Sequence, residues 1–232
     1  HAVQAVCQRE DLAVTRVPGE HAGGKWRLRY GSALGGGGNL GIDLNFMFRI
    51  LLWPATLMDS VDVGTYSAKG ISVMDIHELA AGKLAALFAR QASRDLFDVH
   101  QLLTTGKLDQ KRLRLAFILY GAMNRRDWRT ISLDDVGCDP RELENQLLPV
   151  LSSKIRESFP PDWAKEMVHT CQEHLISMVD FAPCEEEFLT RLLDHGEIVP
   201  GLLTSDAEMA ARIQDHPLLR WKALNVKRHQ LR

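Results

Sequence analysis

Several features are missing from this chain, and each absence narrows what the protein can be. No run of about 18 apolar residues occurs, and no basic-then-apolar leader is visible, so no membrane-spanning helix is expected and the reading is a soluble, cytoplasmic protein. The four cysteines, Cys7, Cys138, Cys171 and Cys184, lie far apart without any Cys-x-x-Cys spacing. They read as reduced thiols, which excludes a disulfide scaffold and a zinc ribbon. The nine histidines are equally dispersed, and His169 and His174, five apart, miss the i, i+4 spacing of a helical metal pair. An excess of either charge is lacking too. A formal net charge of −2 over 232 residues argues against a basic footprint across the whole molecule. Two local basic clusters remain, Arg125, Arg126 and Arg129, and then Lys222, Lys227, Arg228 and Arg232 around Trp221 and His229. Each reads first as a solvated helix end or tail.

What is present can build one substantial core or two modest ones, since 45% of the residues are hydrophobic. Alternating apolar residues predict strands over 15–17, 25–30 and 42–50, with glycine turns at Pro18-Gly19 and Gly23-Gly24. The run from Gly35 to Gly38 lacks the Lys-Ser/Thr ending of a phosphate loop and sits between strands, so it is expected to be a flexible hairpin loop. A helix is expected over 2–12. Beyond Asp75 the alternation stops and helical stripes predict helices over 76–90, 94–104, 108–122, 140–153, 161–181, 184–194 and 205–215. The expectation is an α+β fold, with an α+β module over 1–106 and an all-helical module over 107–232, separated at Thr104-Thr105-Gly106.

The densest chemistry lies between Asp75 and Asp98. Leu79, Ala80, Leu84, Leu87 and Phe88 form a helical apolar stripe, whereas Lys83 and Arg90, seven apart, share another face. Asp75 followed by Glu78 has the form of a capping box, and Ser93 is placed to cap a second helix with Asp95 in its first turn. Asp95 and Asp98 are neighbours on that helix, with Arg94 beside them. Cations and carboxylates so close suit phosphate and Mg2+ chemistry, because Mg2+ takes carboxylate and phosphate oxygens while Lys and Arg neutralise phosphate charge. On spacing alone, solvated surface ion pairs are the first reading of such alternating charges.

The run Glu-Leu-Ala-Ala-Gly-Lys-Leu-Ala-Ala-Leu-Phe-Ala-Arg-Gln-Ala-Ser-Arg-Asp-Leu-Phe-Asp resembles the Lys-Leu-x-Ala-Leu...Arg...Arg-Asp-x-x-Asp signature of the AbiEii/AbiGii toxin-type nucleotidyltransferases, within the polymerase-β-like superfamily. Residues 25–54 are similar to the sheet region that precedes that signature. The resemblance implies a partial nucleotidyltransferase-like mixed sheet with helices, followed by the helical module. It implies transfer of a nucleotidyl group from an NTP, with Mg2+, to an acceptor hydroxyl such as a tRNA 3′ end, in a toxin countered by an antitoxin. Lys83 would hold the phosphates, with Arg90 or Arg94 assisting. Asp43 would serve the metal or act as base, and Asp95 or Asp98 would orient Lys83 or take part directly.

The family also carries a Gly-Gly-Thr or Gly-Ser motif followed by Asp-x-Asp, and this signature is not seen ahead of the segments above. Gly31-Ser32 followed by Asp43-Leu44-Asn45 imitates it with Asn45 in place of the second acid. The other placement makes 39–48 the strand that supplies the superfamily's third carboxylate, Asp43. The chain starts without Met, and a fragment lacking the principal metal ligands would transfer little. A second class of reading therefore stands beside the enzyme: a catalytically silent nucleotidyltransferase-fold domain that binds a protein partner through its helical half.

Overall fold

In the computed structural model, residues 2–17, 19 and 23–230 are described. Pro18 of the first expected turn and Arg232 of the basic C-terminal stretch lie outside the described residues. The chain divides into two compact units, 1–50 and 51–232.

The first unit carries helix α1 (Ala2–Arg9) and strands β1 (Ala13–Arg16), β2 (Gly23–Gly31) and β3 (Gly37–Asn45), in the antiparallel order β1-β2-β3. Period-two alternation sorts β2 into two faces. Trp26 and Leu28 are buried and, with Cys7 of α1, form the small apolar core, whereas Lys25, Arg27 and Arg29 are exposed. The expected loop over 35–38 is only half a loop. Gly35 and Gly36 make the turn at φ +89° and +76°, but Gly37 and Gly38 pair with Gly31 and Tyr30 in the sheet. Glycine is required at 37, because a Cβ there would meet the main-chain oxygen of Tyr30 at 2.5 Å, and at 38 it makes room for the Tyr30 ring. The strand expected over 42–50 accordingly begins earlier and ends at Asn45, whose side chain accepts a hydrogen bond from Met47 N at 2.9 Å and caps a 3-10 turn over Phe46–Phe48.

The second unit opens with an antiparallel pair, β4 (Thr56–Met58) and β5 (Ile71–Val73). It continues as helices α2 (Ile76–Arg90), α3 (Ser93–Thr105), α4 (Gln110–Ala122), α5 (Pro140–Glu142), α6 (Ser153–Glu157), α7 (Trp163–Val179), α8 (Pro183–His195), α9 (Ala207–Asp215) and α10 (Pro217–Gln230). Its core gathers Phe88 of α2, Phe117 of α4 and Trp128, with ring centroids 5.1–5.8 Å apart. The expected α+β class holds, and both sheets are antiparallel among the described strands. The division expected near 106 falls within the second unit, between α3 and α4.

Further expected elements differ. Gly23-Gly24, expected as a turn, opens β2 and pairs with Asn45 and Leu44. The helix over 140–153 is broken: α5 passes into a π-turn over Leu143–Leu147 and a 3-10 turn over Leu148–Val150, where Pro149 has no N–H for a continuing ladder. The basic C-terminal stretch is not a tail but α10, which buries Leu219 and Ala223. No helix among the described residues is long and apolar enough to cross a membrane.

At the start of α10, His216 is fully buried, and burial pushes its imidazole down to about 4 from an ordinary value of 6.5. The unfolded chain takes up this proton near 6.5 and the folded chain only near 4. Stability is therefore level above pH 6.5, falls as pH drops through that window, and levels again below 4. The loss attributable to this group is about 3 kcal/mol. Urea unfolding of wild type and His216→Leu at pH 7 and pH 4 should show that increment only in wild type; equal pH slopes would refute the assignment.

Candidate active site

The residues expected to carry chemistry sit mainly on the α2–α3 hairpin. Asp75 caps α2 by accepting from His77 N at 2.9 Å. The same carboxylate meets His77 Nδ1 at 2.8 Å and Arg112 at 3.1 Å, and the Arg112 guanidinium lies 4.5 Å above the Trp53 ring. His77 Nε2 accepts from Asp109 N at 2.8 Å, so the proton belongs on Nδ1, where it is donated to Asp75.

The reciprocal half of the expected capping box does not form. Glu78 is fully buried and faces inward instead, accepting from Leu52 N at 3.0 Å, Trp53 N at 3.2 Å and the Tyr120 hydroxyl at 3.0 Å. Burial raises its carboxyl above the usual range in spite of these bonds, and the phenol of Tyr120 is pushed up by burial and by the adjacent carboxylate. Gly82 faces Tyr120, where an added Cβ would lie 3.6 Å from the ring in ordinary van der Waals contact, so α4 would accept alanine there.

Helix α2 stops at Gln91, whose left-handed φ of +54° turns the chain directly into α3. Ser93 is the first residue of α3 and not its cap: its N–H and hydroxyl both donate to Glu142, at 2.8 and 3.0 Å. The turn lays the two helices side by side and produces a two-rung ladder. Lys83 Nζ donates to Asp98 at 2.6 Å, and Arg90 grips Asp95 through two bonds of 3.0 and 2.8 Å. The rungs differ in accessibility. The Asp95 side chain is 3% exposed, whereas Lys83 and Asp98 are 42% and 39% exposed. A ligand can reach the Lys83–Asp98 rung from solvent, while Asp95 is enclosed beneath its arginine. Arg94 is exposed and has no ion-pair partner among the described residues.

Asp43 belongs to the first unit. It stands on the exposed face of β3 directly across from Lys25, whose Nζ is 3.5 Å away. Among the described residues no group of three or more His, Cys, Asp or Glu is gathered to hold a metal ion. Mg2+ in phosphoryl-transfer sites commonly takes one or two carboxylates plus substrate phosphates. Asp43 is a single carboxylate already paired with Lys25, and Asn45, engaged as a cap, adds no second donor.

Two of the three cations of the first basic cluster are consumed by structure, and Arg125 stays exposed. Arg126 donates to Phe88 O at the end of α2 and to Asp135, both at 2.8 Å, and Arg129 holds Asp127 and Asp194. Sequence reasoning missed the Glu78 knot and the His77–Asp75–Arg112 cluster. The one available signal was an acid, Glu78, placed in register with the buried positions Ala81 and Ala85.

The profile of the family described as "Nucleotidyl transferase AbiEii toxin, Type IV TA system" matches residues 2–177. No curated relative and no solved structure shows a significant match.

Proposed function

The chain belongs to the AbiEii nucleotidyl transferase toxin family, and from that premise we propose that it transfers a nucleotidyl group from an NTP to an acceptor hydroxyl, with the 3′ end of tRNA as the acceptor class. The observation that carries the reading is a solvent-accessible lysine held on a rigid helix pair, Lys83 against Asp98 at 2.6 Å, inside the segment that resembles the family signature. In the reaction the acceptor oxygen forms a bond to the α-phosphorus, the bond from that phosphorus to the bridging oxygen breaks, and pyrophosphate leaves with the electron pair. The acceptor proton passes to a carboxylate or to water.

Each residue has a part in this proposal. Lys83 meets the triphosphate as a compact positive charge, and Asp98 aims it. Arg90 adds a second cation whose direction Asp95 fixes from below, so Asp98 is the aspartate that touches the reacting centre and Asp95 a positioning residue. Arg94, exposed and without an ion-pair partner among the described residues, assists in neutralising phosphate. Asp43 is the carboxylate for Mg2+ or for proton transfer. A metal bound there would neutralise charge developing on the phosphoryl oxygens. Gly31 ends β2 and Ser32 opens the turn to β3, its Oγ accepting from Leu34 N, which favours Asp43 as the third carboxylate over the imitation motif. The transferase module is assigned to 1–106 and the helical module to 107–232. The protein acts in the cytoplasm, where NTPs and tRNA are found, and an antitoxin counters it.

The test is incubation of the protein from its complete reading frame with labelled NTPs, Mg2+ and total tRNA, followed by mapping of the labelled RNA end. Mg2+-dependent 3′ labelling by one or more NTPs is expected. Failure with every NTP, with Mg2+ or Mn2+, would leave the silent, partner-binding reading in its place.

A further inference from the structure

We infer that the exposed face of the first sheet is a docking strip for the phosphate backbone of a single-stranded RNA acceptor. The substrate class rests on the nucleotidyl-transfer reading; the place rests on the following geometry.

Lys25, Arg27 and Arg29 occupy alternate positions of β2 and so share its exposed face, with successive cations about 7 Å apart along the strand. Their cross-strand neighbours leave room above them. Arg27 lies opposite Gly41 and Arg29 opposite Asn39 on β3, and nothing lies within 4 Å of where a Gly41 Cβ would be. The result is an open trough of about 540 Å³ lined by the three cations, Thr15 and the glycine-rich strand. On the other side, register places Arg16 of β1 directly opposite Arg27. Like charges in that position destabilise a sheet. Among the described residues no carboxylate relieves Arg27 and Arg29, which make no ion pair there, and the one acid on the β3 part of this face, Asp43, sits opposite Lys25. A costly row of unneutralised cations over an open trough is what a polyanion site requires.

The spacing selects the polyanion. The phosphorus atoms of a triphosphate are much closer together than the repeat of alternate strand residues, whereas consecutive phosphates of an extended nucleic-acid strand match it. The trough also lacks aromatic side chains for stacking bases, so it reads the backbone and not the sequence. Asp43 closes one end of the row, and a strand lying along β2 runs toward the carboxylate that the proposed reaction uses.

The experiment measures binding without catalysis. Fluorescence anisotropy with a short oligo(U) probe, NTP omitted, is recorded over a salt series for the complete protein and its variants. Arg27→Ala/Arg29→Ala should bind at least about tenfold more weakly, and its log–log salt slope should shrink by about 1.4, two single-strand phosphate contacts at about 0.7 each. Arg27→Lys/Arg29→Lys, which keeps both charges, should retain most of the affinity and slope, and thermal unfolding checks that all variants fold. Binding of Mg–NTP should be unchanged by the alanine pair. The inference is overturned if RNA affinity ignores the alanine pair, if it follows Lys227→Ala/Arg228→Ala on α10 instead, or if the pair loses NTP binding while RNA binding persists. Loss of RNA binding in the pair, from a protein that labels no RNA, would sustain the strip and sink the transfer reading. Intact RNA binding in an active pair would do the reverse.

Discussion

Lys83→Ala is expected to lower nucleotidyl transfer by at least about a hundredfold while shifting the melting temperature by less than about 4 °C. The two halves follow from different properties of one side chain. Removing a charge aimed at a developing oxyanion typically costs two to three orders of magnitude in rate. The Lys83–Asp98 pair, with both side chains about 40% exposed, contributes at most about 1 kcal/mol to folding, because water screens it and hydrates Asp98 when the lysine is gone. Lys83→Arg should also be badly impaired, since a planar fork does not reproduce a point contact 2.6 Å from one carboxylate oxygen. The two aspartates should then separate. Asp98→Asn leaves the fold intact and reduces transfer, whereas Asp95→Asn destabilises, because the Asp95 side chain is only 3% exposed and takes both bonds from Arg90. Calorimetry and RNA labelling on the same preparations decide it. An alanine variant that melts normally and transfers at the parental rate would make Lys83 an ordinary surface residue.

How this hairpin came to be legible depends on the range of the interactions that fix it. The start and end of α2 follow from a local apolar stripe, and the structure places them at the expected residues, 76 and 90. That Lys83 and Arg90 share a face follows from the helical period. Which carboxylate each would meet did not, because that depends on the left-handed turn at Gln91, a residue whose identity carries no strong preference for φ > 0. Ser93 looked like a cap by type and position, but Glu142, 49 residues away, takes both its donors. Glycine at 37 and 38 imitated a loop, since its place in β3 is set by close approach to Tyr30 and not by its own preference. The helix α10 was hidden by composition: its burial rests chiefly on Leu219 and Ala223, too few positions for a visible stripe. For Asp43, the alternation of β2 and β3 made its exposed face readable, while chain spacing says nothing about which groups oppose it.

Glu78 is the point where local and tertiary demands conflict most, and its replacement should have the largest effect on folding. The expected capping box would leave this carboxylate at the surface, exchangeable for alanine at a cost of about 1 kcal/mol. Its actual place is 0% exposed, where one oxygen accepts from two consecutive main-chain N–H groups, Leu52 and Trp53, and the other from Tyr120. The segment so pinned is itself irregular, and it is held from the far side by Arg212, which donates to Leu52 O at 3.0 Å. Glu78→Leu removes the acceptor from three donors at once, two of them buried and the Trp53 amide half-buried, and because no main-chain carbonyl replaces it the cost should be about 4 kcal/mol. Glu78→Gln should stay within about 1 kcal/mol of wild type: its carbonyl can face the two amides, its NH2 can donate to the Tyr120 oxygen, and it carries no charge to desolvate. Since burial raises the Glu78 carboxyl above 4.5 in the folded chain, the folded form binds the proton more tightly than the unfolded. Wild type should therefore lose stability as pH rises from 4.5 through the raised value, and the glutamine variant should lack that component. Denaturant unfolding gives the energies, and hydrogen exchange gives the location, because the amides of Leu52 and Trp53 should lose protection first in Glu78→Leu. A leucine variant as stable as wild type would mean that this carboxylate does not hold the 51–54 segment to α2.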